Sequence, residues 1–292
     1  MYNIQVIMPD RQNTIEEVCR MLWAANFDDT QEYIEYYFNN RWHESITVIS
    51  DNVSMLNLNP YRVKLNRKEL LTYYIVGVCT LAEYRKRGYM DAVLRCALQY
   101  MYNAGMPFAY LMPASENIYK PYGFQGIYPA RAWDGSLEML KRETFKSVEG
   151  MKNIGCVQCI LYEALTDNQK DSLSIYAQNI LSKNFSCYVV HDRHYFKELY
   201  KEMQACNGGI ATFWDMEQAC CTGYIVYLCE NGSRAEIAES VFEDGIQHEV
   251  IRYLAELNIT EISLYETAFW NLTSAKKQKN YLMARIIDLK AF

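Results

Sequence analysis

The 292-residue sequence contains no apolar run approaching the roughly 20 residues that span a bilayer. Met1–Asp10 lacks the basic start, apolar stretch and small-residue cleavage site of a leader. A soluble, cytoplasmic protein with no membrane partner is therefore expected. Positive charge is short as well: 29 Lys and Arg face 35 Asp and Glu, for a formal net charge of −6. No basic face is left to neutralise phosphates, which excludes nucleic acid as the main partner. An acidic balance suits a cationic amine instead. Only four histidines occur, and none has an H-E-x-x-H partner. His191 and His194 share an expected helix start and read as surface or capping residues. The ten cysteines lack a metal-binding or disulfide pattern: Cys156-x-x-Cys159 has no second pair, Cys220 and Cys221 are adjacent, and Cys79, Cys96 and Cys229 stand singly in apolar segments. Small hydrophobes in a reducing cytosol fit that arrangement, so no metal is expected. Finally, neither G-x-G-x-x-G nor G-x-x-x-x-G-K-[ST] is present, which removes nucleotide binding of those two kinds.

Half of the residues are hydrophobic and 22% are charged, which favours a sizeable core over long disorder. The length suits two domains. The stretch that organises the chain is Tyr73–Tyr128. Tyr73–Thr80 is apolar and β-branched around Gly77 and reads as a buried strand. Arg85-Lys86-Arg87-Gly88 follows and opens a helix with Met90, Val93, Leu94, Ala97, Leu98 and Met101 on one face. Gly105 is placed to end it, and Phe108–Met112 reads as the next strand. A helix start offers unpaired N–H groups and a positive dipole end. With three cations and a glycine beside it, a phosphate or pyrophosphate is its natural occupant.

Two motifs carry a resemblance. V-G-V-C-T at Val76–Thr80 followed by R-x-x-G-x-M at Arg85–Met90 resembles the acyl-CoA motif of the GNAT superfamily of N-acetyltransferases. Met90 departs from the usual Gly or Ala, and its N–H still faces a phosphate if the side chain turns into the core. P-A-S-E-N-I-Y-K-P-Y-G-F at Pro113–Phe124 is similar to a segment of the Eis (enhanced intracellular survival) branch, one residue shorter between Ser115 and Tyr119. The resemblance implies direct transfer of acetyl from acetyl-CoA to a primary amine of a small molecule, peptide or protein, polyamines and aminoglycosides among the candidates. Backbone at Val76, Gly77, Val78, Cys79 and Thr80 would hold the pantetheine arm. Arg85, Lys86, Arg87, Gly88, Tyr89 and Met90 would hold the pyrophosphate. Tyr119 is the implied general acid, with Ser115 orienting it or the pantetheine. The first two helices would wall the acceptor site, with Trp23, Phe27, Tyr37 and Phe38 as either core or pocket residues. In longer relatives the C-terminal carboxylate reaches the site, which puts Phe292 forward here.

The expected fold is α/β: two tandem GNAT-like units, each a mixed twisted sheet flanked by helices, the second degenerate. The expected domains are 1–147, catalytic, and 154–292, without a CoA motif, joined by a linker over 148–153. Helices are expected over residues 15–23, capped by Asn13 or Thr14, and over 30–40. Strands are expected at Ile46–Ser50, Ser54–Leu58 and Tyr61–Leu65, with Pro60 in the turn. The second half reads as strand, two helices, a three-strand meander, helix and strand. Its strand-to-helix turn, Val241-Phe242-Glu243-Asp244-Gly245, is acidic and repels a pyrophosphate. Met283–Phe292 looks like the first strand of a third, sterol-carrier-like domain and no more. Two alternatives to catalysis on acetyl-CoA stay open: a CoA-binding sensor or assembly module without turnover, and an acyltransferase for longer acyl-CoA. A homo-oligomer is compatible with either.

Overall fold

The computed structural model describes residues 2–128, 130–146, 156–230, 232–270, 272–277 and 282–288. The chain forms two compact units, Met1–Tyr128 with Asn280–Phe292, and Pro129–Lys279. In the first, the elements are β1 (Ile4–Ile7), α1 (Glu16–Ala24), α2 (Gln31–Tyr36), β2 (Ile46–Ser50), β3 (Ser54–Leu65), β4 (Lys68–Thr80), α3 (Tyr89–Asn103), β5 (Phe108–Leu111), α4 (Glu116–Tyr119) and β6 (Gln125–Tyr128). The second holds β7 (Arg131–Ser136), α5 (Leu137–Lys146), β8 (Val157–Leu161), α6 (Asp167–Asn184), β9 (Cys187–Val189), α7 (Arg193–Ala205), β10 (Gly208–Asp215), β11 (Cys220–Glu230), β12 (Arg234–Phe242), α8 (Gln247–Glu256), β13 (Glu261–Leu264) and β14 (Lys276–Lys277). A last strand, β15 (Leu282–Ile286), returns to the first unit.

In the first sheet the strands run β1-β2-β3-β4-β5-β15-β6. All these neighbours are antiparallel except β4 and β5, which α3 connects as a crossover. Val93, Leu94, Ala97, Leu98 and Met101 form the buried face of α3, packed on Ile46, Val48, Leu56, Leu58 and Ile75. Each of these side chains larger than alanine contributes about 1.5–3 kcal/mol by leaving water.

Four local expectations change. Residues 9–14 form a 3-10 turn rather than a cap, and α1 starts after Ile15 with no side chain on its N–H groups. Thr30 caps α2, but the helix widens to a π turn over Tyr37–Arg41, which lets Tyr37, Phe38 and Trp42 all point inward. Ser54–Leu65 is one strand through Pro60. Ile46 opposite Leu58 is the last β2–β3 rung, so the missing proline N–H interrupts none of that ladder. Finally, β15 is not the start of another domain. Met283 is fully buried, and the strand lies between β5 and β6, with Met283 opposite Leu111 and Ala284 opposite Gln125.

In the second sheet the order is β14-β7-β13-β12-β11-β10-β8, antiparallel except for β12–β13. One face carries α5 and α8 over Ile225, Ile237 and Ile262, and the other carries α6 and α7 over Tyr224, Val226 and Val241. The division into units therefore differs from 1–147 and 154–292. β7 follows β6 in sequence but pairs with β13, and β15 pairs with β5 and β6. The expected linker over 148–153 lies outside the described residues.

Candidate active site

Strand β4 breaks its own regularity where the sequence places V-G-V-C-T. Asn57 lies opposite Val76 and Met55 opposite Cys79, so Gly77 and Val78 together face Leu56, a β-bulge. Gly77 takes φ +65°, and a Cβ there would meet the Trp23 ring at 2.7 Å. Glycine is thus required by conformation and by space. The bulge also re-phases the strand: Tyr73 and Ile75 face the α3 core, and beyond the bulge Val78 does so. Pairing to β5 is confined to Tyr73–Ala109 and Tyr74–Tyr110. From Val76 to Thr80 no β5 rung follows, and the two parallel strands splay.

At the end of β4 the buried Thr80 hydroxyl pairs with Ser54 at 2.8 Å. Arg85 donates from Nε to the Thr80 carbonyl at 3.1 Å and from its guanidinium to Asn26 at 2.8 Å, tying the turn to the end of α1. Lys86 (φ 61°) and Gly88 (φ 86°) are both left-handed and aim the backbone into α3, whose first turn no side chain caps. Tyr2 donates to the Arg87 carbonyl at 2.6 Å and stacks edge-on with Tyr89 at 5.0 Å, and the Arg87 guanidinium lies over Tyr84. A Cβ at Gly88 would clash with the Tyr2 hydroxyl. Lys86 and Arg87 are exposed, and Met90 packs against the core as its size requires. The result is an uncapped helix start flanked by two exposed cations, which fits a pyrophosphate group.

Ser115 precedes α4 in extended conformation, exposed, with its side chain not used as a cap. One turn on, Tyr119 is buried, with its ring edge-on to Phe124 at 6.0 Å. Burial pushes its phenol up to about 12, so it holds its proton throughout the neutral range. Cys79 and Cys19 are likewise pushed up to about 12 by burial, which leaves both as neutral thiols.

The four pocket candidates form one cluster. Trp23 contacts Phe27 at 5.1 Å, Tyr37 at 4.4 Å and Phe38 at 5.8 Å between ring centres. Trp23, Tyr37 and Phe38 are buried, and of the four only Phe27 keeps partial exposure. The Trp23 indole N–H donates to Asp29 at 2.8 Å, and the Tyr37 hydroxyl donates to Asn59 at 3.0 Å. Phe292 lies outside the described residues. Two features of this region escaped the sequence reading: Tyr2, which closes over the turn, and Asn57, a buried amide behind Gly77. The only signal for Asn57 was an asparagine inside the apolar run Met55-Leu56-Asn57-Leu58.

In the second unit His191 is buried rather than on the surface. Its Nε2 stands 2.8 Å from Glu239 and its Nδ1 2.6 Å from the Val189 carbonyl. Tyr195 and Tyr224 also donate to Glu239. Burial raises the Glu239 pKa, but the His191 charge and these donors outweigh it and hold the carboxyl below its ordinary value. Among the described residues no three His, Cys, Asp or Glu side chains are grouped to hold a metal, and no helix is long and apolar enough to cross a membrane.

Residues 11–127 match the family described as acetyltransferase (GNAT) domain. No curated protein matches the sequence. Among solved structures, a protein of Enterococcus faecalis described as a probable N-acyltransferase aligns with TM-score 0.76 at 16% identity, over 100% of this chain and 74% of that one. A GCN5-related N-acetyltransferase from Anabaena variabilis aligns with TM-score 0.68 at 14% identity, with the same coverage. Eis1 from Mycobacterium abscessus aligns with TM-score 0.64 at 11% identity, again over 100% and 74%. At such identities the likeness is one of fold, and it extends over both units. Residues 11–127 thus match an acetyltransferase (GNAT) domain, which supports an acetyltransferase drawing on an acyl-CoA cosubstrate, and the two units together share the fold of these solved structures.

Proposed function

We propose that the first unit transfers an acetyl group from acetyl-CoA directly to the primary amine of a small molecule, peptide or protein. One observation carries this reading: the bulged, splayed edge Val76–Thr80 and the uncapped start of α3 lie at the two ends of a single strand-to-helix connection. Acetyl-CoA would supply the acetyl group as a thioester. Backbone of Val76, Gly77, Val78, Cys79 and Thr80 would hold the pantetheine arm as an added strand. Lys86, Arg87 and the N–H groups that follow Gly88 would hold the pyrophosphate, with Arg85 fixing the turn. We assign the activity to this unit and no CoA binding to the second.

The neutral thiols of Cys19 and Cys79 support direct transfer over an acyl-cysteine route, since the thiolate is the nucleophile. Tyr119 would donate to the departing sulfur, with Ser115 orienting it. A phenol near 12 is a poor donor to an ordinary thiolate of pKa about 8.5. Burial likewise raises Cys79 to about 12, and a leaving thiolate desolvated at this edge would be a stronger base than one in water. Positioned proton transfer of this kind contributes about 10² to 10⁴ in rate.

The test is thiol release from acetyl-CoA across a panel of amines, with Tyr119→Phe run beside the wild type. A fall of at least tenfold in kcat with little change in KM for acetyl-CoA is expected. Unchanged kcat in the variant would remove Tyr119 from the chemistry. Absence of acetyl-CoA binding would overturn the assignment of the turn.

A further inference from the structure

Asn57 on β3 is fully buried. Its Oδ1 accepts the Thr47 hydroxyl at 2.7 Å, and Thr47 accepts the Trp42 indole N–H at 3.0 Å. Those two bonds set the amide. Turned round, its NH₂ would face an oxygen that already takes one donor, and the Thr47 proton would lose its acceptor. Nδ2 therefore points the other way, to within 3.1 Å of where a Cβ on Gly77 would stand. Among the described residues no protein acceptor meets it. Buried amide donors are nearly always paired. This one faces the residue at which β4 bulges, turns left-handed and lies past its last β5 rung. With no side chain at Gly77, Nδ2 and the Trp23 ring edge both close on the strand backbone there.

We infer that Asn57 is a hydrogen-bond donor in the acyl transfer, its Nδ2–H holding an oxygen that the reactants bring to Gly77. The inference rests on the acyl-CoA reading of β4. Two oxygens answer this chemistry. One is the acyl carbonyl oxygen, which gains negative charge as the amine nitrogen bonds to the acyl carbon. It loses that charge when the C–S bond breaks and sulfur leaves with the electron pair and takes a proton. The other is a water that accepts the proton lost by the amine and passes it to solvent. A donor aimed at developing charge is the kind of group whose loss slows acyl transfer.

Asn57→Asp keeps an oxygen for Thr47 and removes the donor, and Asn57→Leu is the second variant should Asp fail to fold. Ser45→Ala, which cuts a separate bond to Asn59 in the same polar seam, is the control for disturbed packing. Melting temperature is read with CoA and with acetyl-CoA, then kcat and KM are read against pH. In the wild type acetyl-CoA should stabilise more than CoA. If the carbonyl is the partner, Asn57→Asp loses that difference and at least tenfold in kcat, with KM for acetyl-CoA within threefold. If water is the partner, the difference stays, kcat falls as much, and its acid limb moves up by about one pH unit. The control keeps wild-type kcat in both cases. A folded Asn57 variant with wild-type kcat, pH profile and acetyl-CoA preference overturns the inference. A wild type that binds acetyl-CoA but releases no thiol fails the transfer reading instead.

Discussion

Two helices of this chain follow the same kind of strand and end differently. α3 leaves β4 and crosses to parallel β5, and α8 leaves β12 and crosses to parallel β13. Ahead of α3 stand Lys86, Arg87 and a left-handed Gly88, and no side chain caps the helix start by a hydrogen bond. Ahead of α8 stand Glu243 and Asp244. The Gly245 N–H donates to the Gln247 side chain at 2.7 Å, and Gln247 Nε2 donates to the Phe269 carbonyl at 3.0 Å. Neither helix has a side-chain cap at its start, but the approach to the second has its Gly245 N–H already taken and carries charge of the same sign as a phosphate. Beyond the last β12–β13 rung, at Ile237–Leu264, the second unit carries the Glu239–His191 pair, where the first has the bare bulge. One topology thus presents a cationic or an acidic turn according to a handful of residues after the strand.

The largest effect that would test this contrast is in the second unit. Glu239→Gln leaves His191 buried beside an amide, and should cost that unit about 3 kcal/mol while leaving acetyl-CoA affinity unchanged. Chemical denaturation followed by a probe in each unit would measure it. Because the folded Glu239 pKa lies below its unfolded value of 4.5, its contribution is present above pH 4.5. It should fade as pH falls below that point. Equal loss of CoA affinity would break the comparison, since the second unit would then serve the cosubstrate.

Next in size, Lys86→Glu with Arg87→Glu gives the first turn the charge of the second. Acetyl-CoA affinity by calorimetry should fall about 30-fold, or about 2 kcal/mol, and less at high salt. An unchanged Kd would show that charge is not what separates the two turns. The smallest effect concerns the leading helices. α6 has a complete capping box between Thr166 and Gln169, whereas the Thr14 hydroxyl ahead of α1 only donates to the Arg11 carbonyl. Thr166→Ala should cost about 1 kcal/mol. Thr14→Ala should cost a few tenths in the same melt, and the reverse order would sink the assignment of caps.

Much of this was legible in the chain because it is local. The apolar spacing of Met90, Val93, Leu94, Ala97, Leu98 and Met101 dictates one buried face whatever surrounds it. Asp192 before α7 and Gly105 after α3 act through their nearest neighbours alone. The charge of the two strand-to-helix turns also needs no partner to be read. What could not be read is long-range. Pro60 looks like a turn until the end of β2 is known, and His191 looks like a capping residue until β12 brings Glu239 to it. Trp23, Tyr37 and Phe38 read first as core and second as pocket, and only the structure shows them buried and stacked on one another.

By itself the sequence determined most of the order of elements, the basic strand-to-helix motif of the first unit and the acidity of its counterpart. Periodicity, glycine backbone freedom and local charge act within a few residues, so they survive without the fold. Only the tertiary structure decided that β15 belongs to the first sheet, that β7 joins the second, and that Asn57 ends with an unpaired donor behind Gly77. Each of these depends on which segments, distant in sequence, compete for the same open strand edge or the same buried space, and that competition is settled only when the sheets close.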